Sequence, residues 1–322
     1  MKNDYTYAVA RIRVREQELL DRAFLEQLLS APAPEEILRR LADRGWGDGE
    51  TRDPREMLAC EERKTWALME ELLADPSVLC PLKWKTDCQN LKAAIKLSCT
   101  ETSLPPERFF CQGGTVDPEL LLRCARERDY SPLPEAMASA GEEAGRILLH
   151  TGDGQLCDLA VDRAWLEALY RAGQRSEEAL HLYSVHTAVS ADIRTAVRAG
   201  RTGKSLDFMG RALVPVKELD TEGLARAALE GTEQTADFLE RTEFAGAAPA
   251  LRESDAAFER WSAGRLMELL RPQRARSFTV GPLIAYILAR EQEIRSVGLI
   301  LSGKQNQLPE DRIRERLGEM YV

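Results

Sequence analysis

The stretch Asp21-Arg22-Ala23-Phe24-Leu25-Glu26-Gln27-Leu28-Leu29 is written twice in this chain. It returns as Asp162-Arg163-Ala164-Trp165-Leu166-Glu167-Ala168-Leu169-Tyr170, identical at six of nine places. A second echo follows each copy: Asn90-Leu91-Lys92 with Ile95-Lys96, then Asp192-Ile193-Arg194 with Val197-Arg198. Helix-start signals trail these at Asp117-Pro118-Glu119 and Asp220-Thr221-Glu222, 27 and 28 residues further on. A fainter third copy is Glu293-Ile294-Arg295, with Pro309-Glu310 after it. An internal period decides architecture before any single motif does. The repeats predict an all-α chain of three degenerate units: 1–116 with an extra helical pair, 117–219, and 220–322, forming one continuous structural unit.

Local signals agree with helix. Tyr5, Val9, Ile12, Leu19, Leu20, Phe24 and Leu28 form one stripe at helical spacing without Gly or Pro, which predicts a single long helix. Pro34-Glu35-Glu36 and Asp53-Pro54-Arg55-Glu56 are helix starts, the second an Asp cap with an acid three residues on. Further helices are expected from Asp117 to about Arg128, from Leu156 to Leu213 with breaks near Gly173 and Gly200, over 220–241, on either side of Pro272, and from Pro309 to Tyr321. Ala245-Gly246-Ala247-Ala248-Pro249 reads as a flexible loop.

Composition narrows the function. The chain has 322 residues, 44% hydrophobic and 30% charged, which is globular usage. A net charge of −9 opposes both a phosphate backbone and an anionic lipid surface. Seven cysteines, an odd number never spaced C-x-x-C, give neither a disulfide framework nor a zinc site and suit reduced thiols in the cytosol. Met1-Lys2-Asn3-Asp4-Tyr5 runs into Arg11, Arg13 and Arg15 with no apolar segment, which predicts no signal peptide. The most apolar stretch, Phe278 to Ala289, is far short of a membrane span.

Chemistry-bearing motifs are sparse. Gly200-Arg201-Thr202-Gly203-Lys204-Ser205 resembles a phosphate loop, but Arg198 stands where the first glycine belongs and a helix precedes it. Gly203-Lys204 and Gly303-Lys304, at matching places, read instead as helix C-terminal caps. His181 and His186 are five apart, the wrong spacing for a shared metal on a helix. No nucleophile elbow is present, so catalytic, cofactor and metal residues are all expected to be none. Phe24, Trp165 and Trp261 fit apolar helix faces. The one recurrent polar feature is basic: Lys92 and Lys96, Arg194 and Arg198, and Arg295. A solvated face pairing with nearby acids accounts for it. So does a repeated basic surface that docks an acidic partner, which makes these five the candidate partner-binding residues.

Three places also carry a resemblance to a known family. They are Tyr5-Thr6-Tyr7-Ala8-Val9-Ala10-Arg11-Ile12-Arg13 running into Leu19-Leu20; Asp87 with Asn90-Leu91-Lys92 and Ile95-Lys96; and Glu293-Ile294-Arg295, Gly303-Lys304 and Ile313-Arg314-Glu315-Arg316-Leu317 before Tyr321-Val322. In order and spacing the chain resembles the C subunit of the V-type (archaeal/bacterial) rotary ATPase, the equivalent of the d subunit in eukaryotic enzymes. Two departures stand out: Asp192 replaces an asparagine, and Gly298-Leu299 replace an aliphatic and a basic residue. The resemblance implies a funnel-shaped body with pseudo-threefold symmetry, present once per complex. It also implies a non-catalytic, cytoplasmic subunit, peripheral to the membrane. Its partners would be the shaft subunits D and F and the proteolipid rotor ring, and its task torque transmission for proton or sodium transport or ATP synthesis. The alternative is a helical-repeat scaffold of unrelated function.

Overall fold

A computed structural model describes residues 5–100 and 102–322. Residues 1–4, where the sequence argues against a leader segment, lie outside the described residues. Every regular element among the described residues is helical, and none is a strand.

The chain opens with α1 (Thr6–Arg15), a 3₁₀ turn (Glu16–Glu18) and α2 (Arg22–Leu29). The single helix predicted over this stretch is therefore two. Leu19 is extended at ψ 144°, and Asp21 takes φ −93°, ψ 171° so that its carboxylate accepts the Phe24 N–H at 2.8 Å. An N-cap needs extended backbone, and that requirement outweighs the unbroken apolar stripe. The stripe residues are still buried; they reach the core from two helices.

Next come α3 (Pro34–Asp43) and α4 (Pro54–Leu72), each with proline in its first turn, and α5 (Cys80–Cys99), which carries the first basic signature. Asp117 caps α6 (Pro118–Glu127) by accepting the Glu119 N–H at 2.9 Å. A turn at Gly152, φ +66°, joins α7 (Glu135–Thr151) to α8 (Gly154–Gly173). Beyond it lie α9 (Glu178–Arg201), α10 (Leu206–Ala212), α11 (Thr221–Glu230) and α12 (Thr232–Leu239). Gly231, at φ +139°, divides the helix predicted over 220–241, a conformation only glycine adopts freely.

The chain ends with α13 (Ala247–Glu253), α14 (Asp255–Leu270), α15 (Gly281–Gln305) and α16 (Glu310–Arg314). The loop expected at 245–249 instead runs into α13, with Ala247 and Ala248 fully buried. Small side chains that look flexible in sequence let α13 lie close against α14. The helix expected from Pro309 to Tyr321 shrinks to the five residues of α16, although Ile313 and Leu317 still enter the core.

Two compact units divide the chain. One comprises the chain up to Pro76, Glu177–Tyr183 and Thr235–Val322; the other comprises Ser77–Ser176 and Ser184–Gln234. In the first unit α15 is the central element. Its residues Gly281 to Arg290 are all buried, which accounts for the apolar run in the sequence: a helix apolar on every side belongs inside a core. Leu25, Leu28, Ile37, Leu41 and Met57 pack with Val297 and Ile300 there. The second unit packs α5 to α8 around Leu91, Ile95, Leu121, Ala144 and Val161. Among the described residues no helix is long and apolar enough to cross a membrane. All seven cysteines are free thiols.

Candidate functional site

The repeated signature has two faces. Its first residue (Asn90, Asp192 or Glu293) points inward and is almost wholly buried. The basic residues two and six places on lie some 200° and 240° around the helix and so point away.

The inward residues share one task. Asn90 on α5 uses its whole amide: Nδ2 donates to the Cys111 carbonyl at 2.9 Å and Oδ1 accepts the Cys111 N–H at 2.7 Å. Asp192 on α9 accepts the Val214 N–H at 2.9 Å. Glu293 on α15 accepts the Leu20 N–H. Cys111 and Val214 follow their anchors by 21 and 22 residues and each precedes the next capping aspartate by six. A buried backbone N–H must find a partner, and here a helix side chain supplies it, fixing the loop that launches the next helix. Asp87, one turn before Asn90, helps by accepting the Thr115 and Val116 N–H groups at 2.7 and 3.1 Å.

Glu293 belongs to a larger cluster that the sequence reading missed. Arg290 on α15 donates to Glu293 at 2.5 Å and to Glu61 on α4, and its guanidinium lies 5.1 Å from the centre of the Trp46 ring. Glu61 also accepts the Gly47 N–H at 2.9 Å and binds Lys64 at 2.7 Å. Burial pushes Glu293 up to about 7, against the pull of Arg290 and the Leu20 N–H. The signal was present: Met57, Glu61, Thr65 and Met69 recur every four residues, so one acid sits in a buried stripe. Its ligands satisfy one another, which makes the cluster a tie between α4 and α15.

The five candidate basic residues divide. Lys92 binds Asp162 at 2.7 Å and Lys96 binds Asp158 at 2.7 Å, both acids on α8. The Lys92 side chain is only 12% exposed, whereas that of Lys96 is 44% exposed. Arg194, Arg198 and Arg295 are exposed. The structure thus brings Lys92 and Lys96 together on one seam and leaves the arginines on open surface.

The glycine-lysine pairs also differ. Gly203 takes φ +66° and the Lys204 N–H returns to the Ala199 carbonyl at 2.9 Å, a glycine C-cap and not a phosphate loop. Gly303, read as the matching cap, is not one. α15 continues to Gln305, the left-handed residue is Gln307 at φ +55°, and Gly303 is glycine because a Cβ there would lie 2.6 Å from Ile313. His186 is buried beside Ser190, with Nε2 and Oγ 3.4 Å apart. No three His, Cys, Asp or Glu side chains among the described residues are grouped to hold a metal ion.

The chain is similar to C subunits of A-type ATP synthases and of a V-type sodium ATPase. It is 24% identical to the C subunit of the A-type ATP synthase of Methanocaldococcus jannaschii over 97% of this chain and 86% of the relative. Against the C subunit of the V-type sodium ATPase of Enterococcus hirae it is 20% identical, over 96% and 97% of the two chains. The C subunit of the A-type ATP synthase of Methanothermobacter thermautotrophicus is 26% identical over 97% of this chain and 87% of its own. Residues 8–316 match the model of the ATP synthase (C/AC39) subunit family, and to that family the chain belongs.

Proposed function

We propose that this chain is the non-catalytic central-stalk subunit of a V-type rotary ATPase, joining a shaft of subunits D and F to the proteolipid ring and passing torque between them. The observation that carries the reading is the family match across residues 8–316. In the same reading the repeats 1–116, 117–219 and 220–322 build a pseudo-threefold funnel. The recurrent buried anchor at Asn90, Asp192 and Glu293 supports it, because three copies of one loop-fixing device are what degenerate repeats would keep. Close-packed helices suit a torque-bearing part, since a packed interior resists deformation. The chain would be held at the cytoplasmic side of the membrane by protein contacts, which agrees with its acidic charge.

Within this proposal Arg194, Arg198, Arg295 and the exposed Lys96 are docking residues for acidic groups of the partners. Lys92 acts through the fold. Affinity isolation of the tagged chain from membranes tests the assignment. Subunits D and F and the proteolipid should come with it, and recovery of the chain alone from an intact ATPase preparation would contradict it. Replacing Arg198 and Arg295 with glutamate should lower that recovery while leaving the melting temperature of the isolated chain unchanged.

A further inference from the structure

One cavity of the second unit is lined by arginines that have no acidic partner among the described residues. It lies where the end of α5 meets α6 and α7, has a volume of about 250 Å³, and is lined by Arg126, Arg128, Arg146, His150 and Tyr130. Glu142 is the only carboxylate on its wall among the described residues. All three arginines are exposed, and none makes an ion pair or hydrogen bond with any described residue. Other cavities differ. One is lined by Arg22, Arg260, Arg265 and Arg314, each held by a carboxylate within 3.2 Å. In another, Arg163 and Arg211 are paired with Glu167 and Asp207. Unpaired like charges gathered around one hollow repel each other, so an arrangement of this kind favours an anion between them.

Two local features show that the hollow is built. Tyr130 forms its floor and is buried; its ring lies across Gly141 and Gly145 of α7, where a Cβ would come within 2.4 Å of the ring or 3.0 Å of the hydroxyl. That hydroxyl has no partner among the described residues, and burial raises it to about 12, so it stays a proton donor. Arg128 terminates α6 in the left-handed conformation, φ +58°, ψ +28°. Glycine is the residue this position ordinarily takes, and an L side chain there is strained. The strained residue is one of those that line the cavity.

We propose that this cavity binds a phosphate-class oxyanion. Three guanidinium forks offer more donors than one carboxylate can accept, and they match the tetrahedral oxygens of phosphate. The volume suits orthophosphate or pyrophosphate better than a drug-sized ligand. The chain's overall charge of −9 repels anions, so attraction must come from this local cluster. The site is independent of the docking residues proposed above.

Titration calorimetry of the full-length chain with pyrophosphate and with orthophosphate tests the proposal. Saturable binding is expected, stronger for pyrophosphate. Arg128→Gly should weaken it roughly tenfold, as should the double variant Arg126→Gln/Arg146→Gln. Glu142→Gln should tighten it. Arg128→Gly should also melt no lower than the parent, because glycine relieves the left-handed strain; lost affinity then cannot be lost folding. Arg39→Gln, at an exposed arginine already paired with Glu36, should change nothing. Absence of saturable binding at millimolar anion, or binding that the arginine variants leave intact, overturns the proposal. Binding of a poly-glutamate peptide without binding of pyrophosphate also overturns it, in favour of a protein partner.

Discussion

At Asp192 one carboxylate oxygen accepts the Val214 N–H and the other, Oδ2, is buried with no hydrogen-bond partner. Burial raises this group from 3.8 to about 7, against weaker pulls from Val214 and Arg163. Because the folded state holds the proton more tightly than the unfolded chain, its contribution to stability is full below about pH 4. That contribution is lost as the pH rises through about 7. Asparagine, which the first repeat uses as Asn90, has nothing to ionise. The variant Asp192→Asn should therefore gain on the parent by on the order of 3 kcal/mol between pH 4 and 8, read from urea unfolding at each pH. A constant difference across that range would show that Asp192 is not the titrating group. Arg290 presents the opposite case, a buried cation that two buried acids require. Arg290→Ala should cost about 3–5 kcal/mol at pH 8 and less at pH 5, where protons can replace the lost charge. Equal loss at both pH values would contradict the ionic account.

Between elements the informative seam is α5 against α8. The two acids are about equally exposed, but Lys92 is mostly enclosed whereas Lys96 is open to water. An exposed pair contributes little and a desolvated one more, so Lys92→Glu should destabilise by about 2–4 kcal/mol and Lys96→Ala by less than about 1 kcal/mol. The exchange Lys92→Asp/Asp162→Lys should recover part of the first loss. Equal melting temperatures for the two single variants would remove the distinction. These pairs also show what sequence could convey. Lys92 and Lys96 were visible as a spaced basic pair, but their acids lie 70 and 62 residues away on another helix. Local rules see i,i+4 partners only. Caps were legible at Asp53, Asp117 and Asp220 because each is written within three residues of the N–H it binds. The break at Leu19 was hidden because an unbroken stripe satisfies helical spacing equally well with or without a cap in its middle. Ala247 and Ala248 were misread because small residues mark both mobile loops and tight helix contacts, and only the neighbour, α14, decides between them.

For the whole molecule, the helical class followed from periodicity and capping, and the family from the order of three dispersed signatures that the family match then covered. The buried cluster of Arg290, Glu61 and Glu293 was not legible as a cluster. It joins residues more than two hundred positions apart, and only folding brings them into one unit. The same holds for the arginine cavity, whose walls come from three helices. The central proposal is mechanical: that this chain carries torque and does no chemistry. It is tested most directly by measuring ATP hydrolysis and ion pumping together in membranes from cells lacking the chain and from cells with it restored. The account predicts that hydrolysis persists without the chain while ATP-driven ion transport is lost, and that restoring the chain reinstates transport. Ion pumping that stays coupled to hydrolysis in its absence would contradict it.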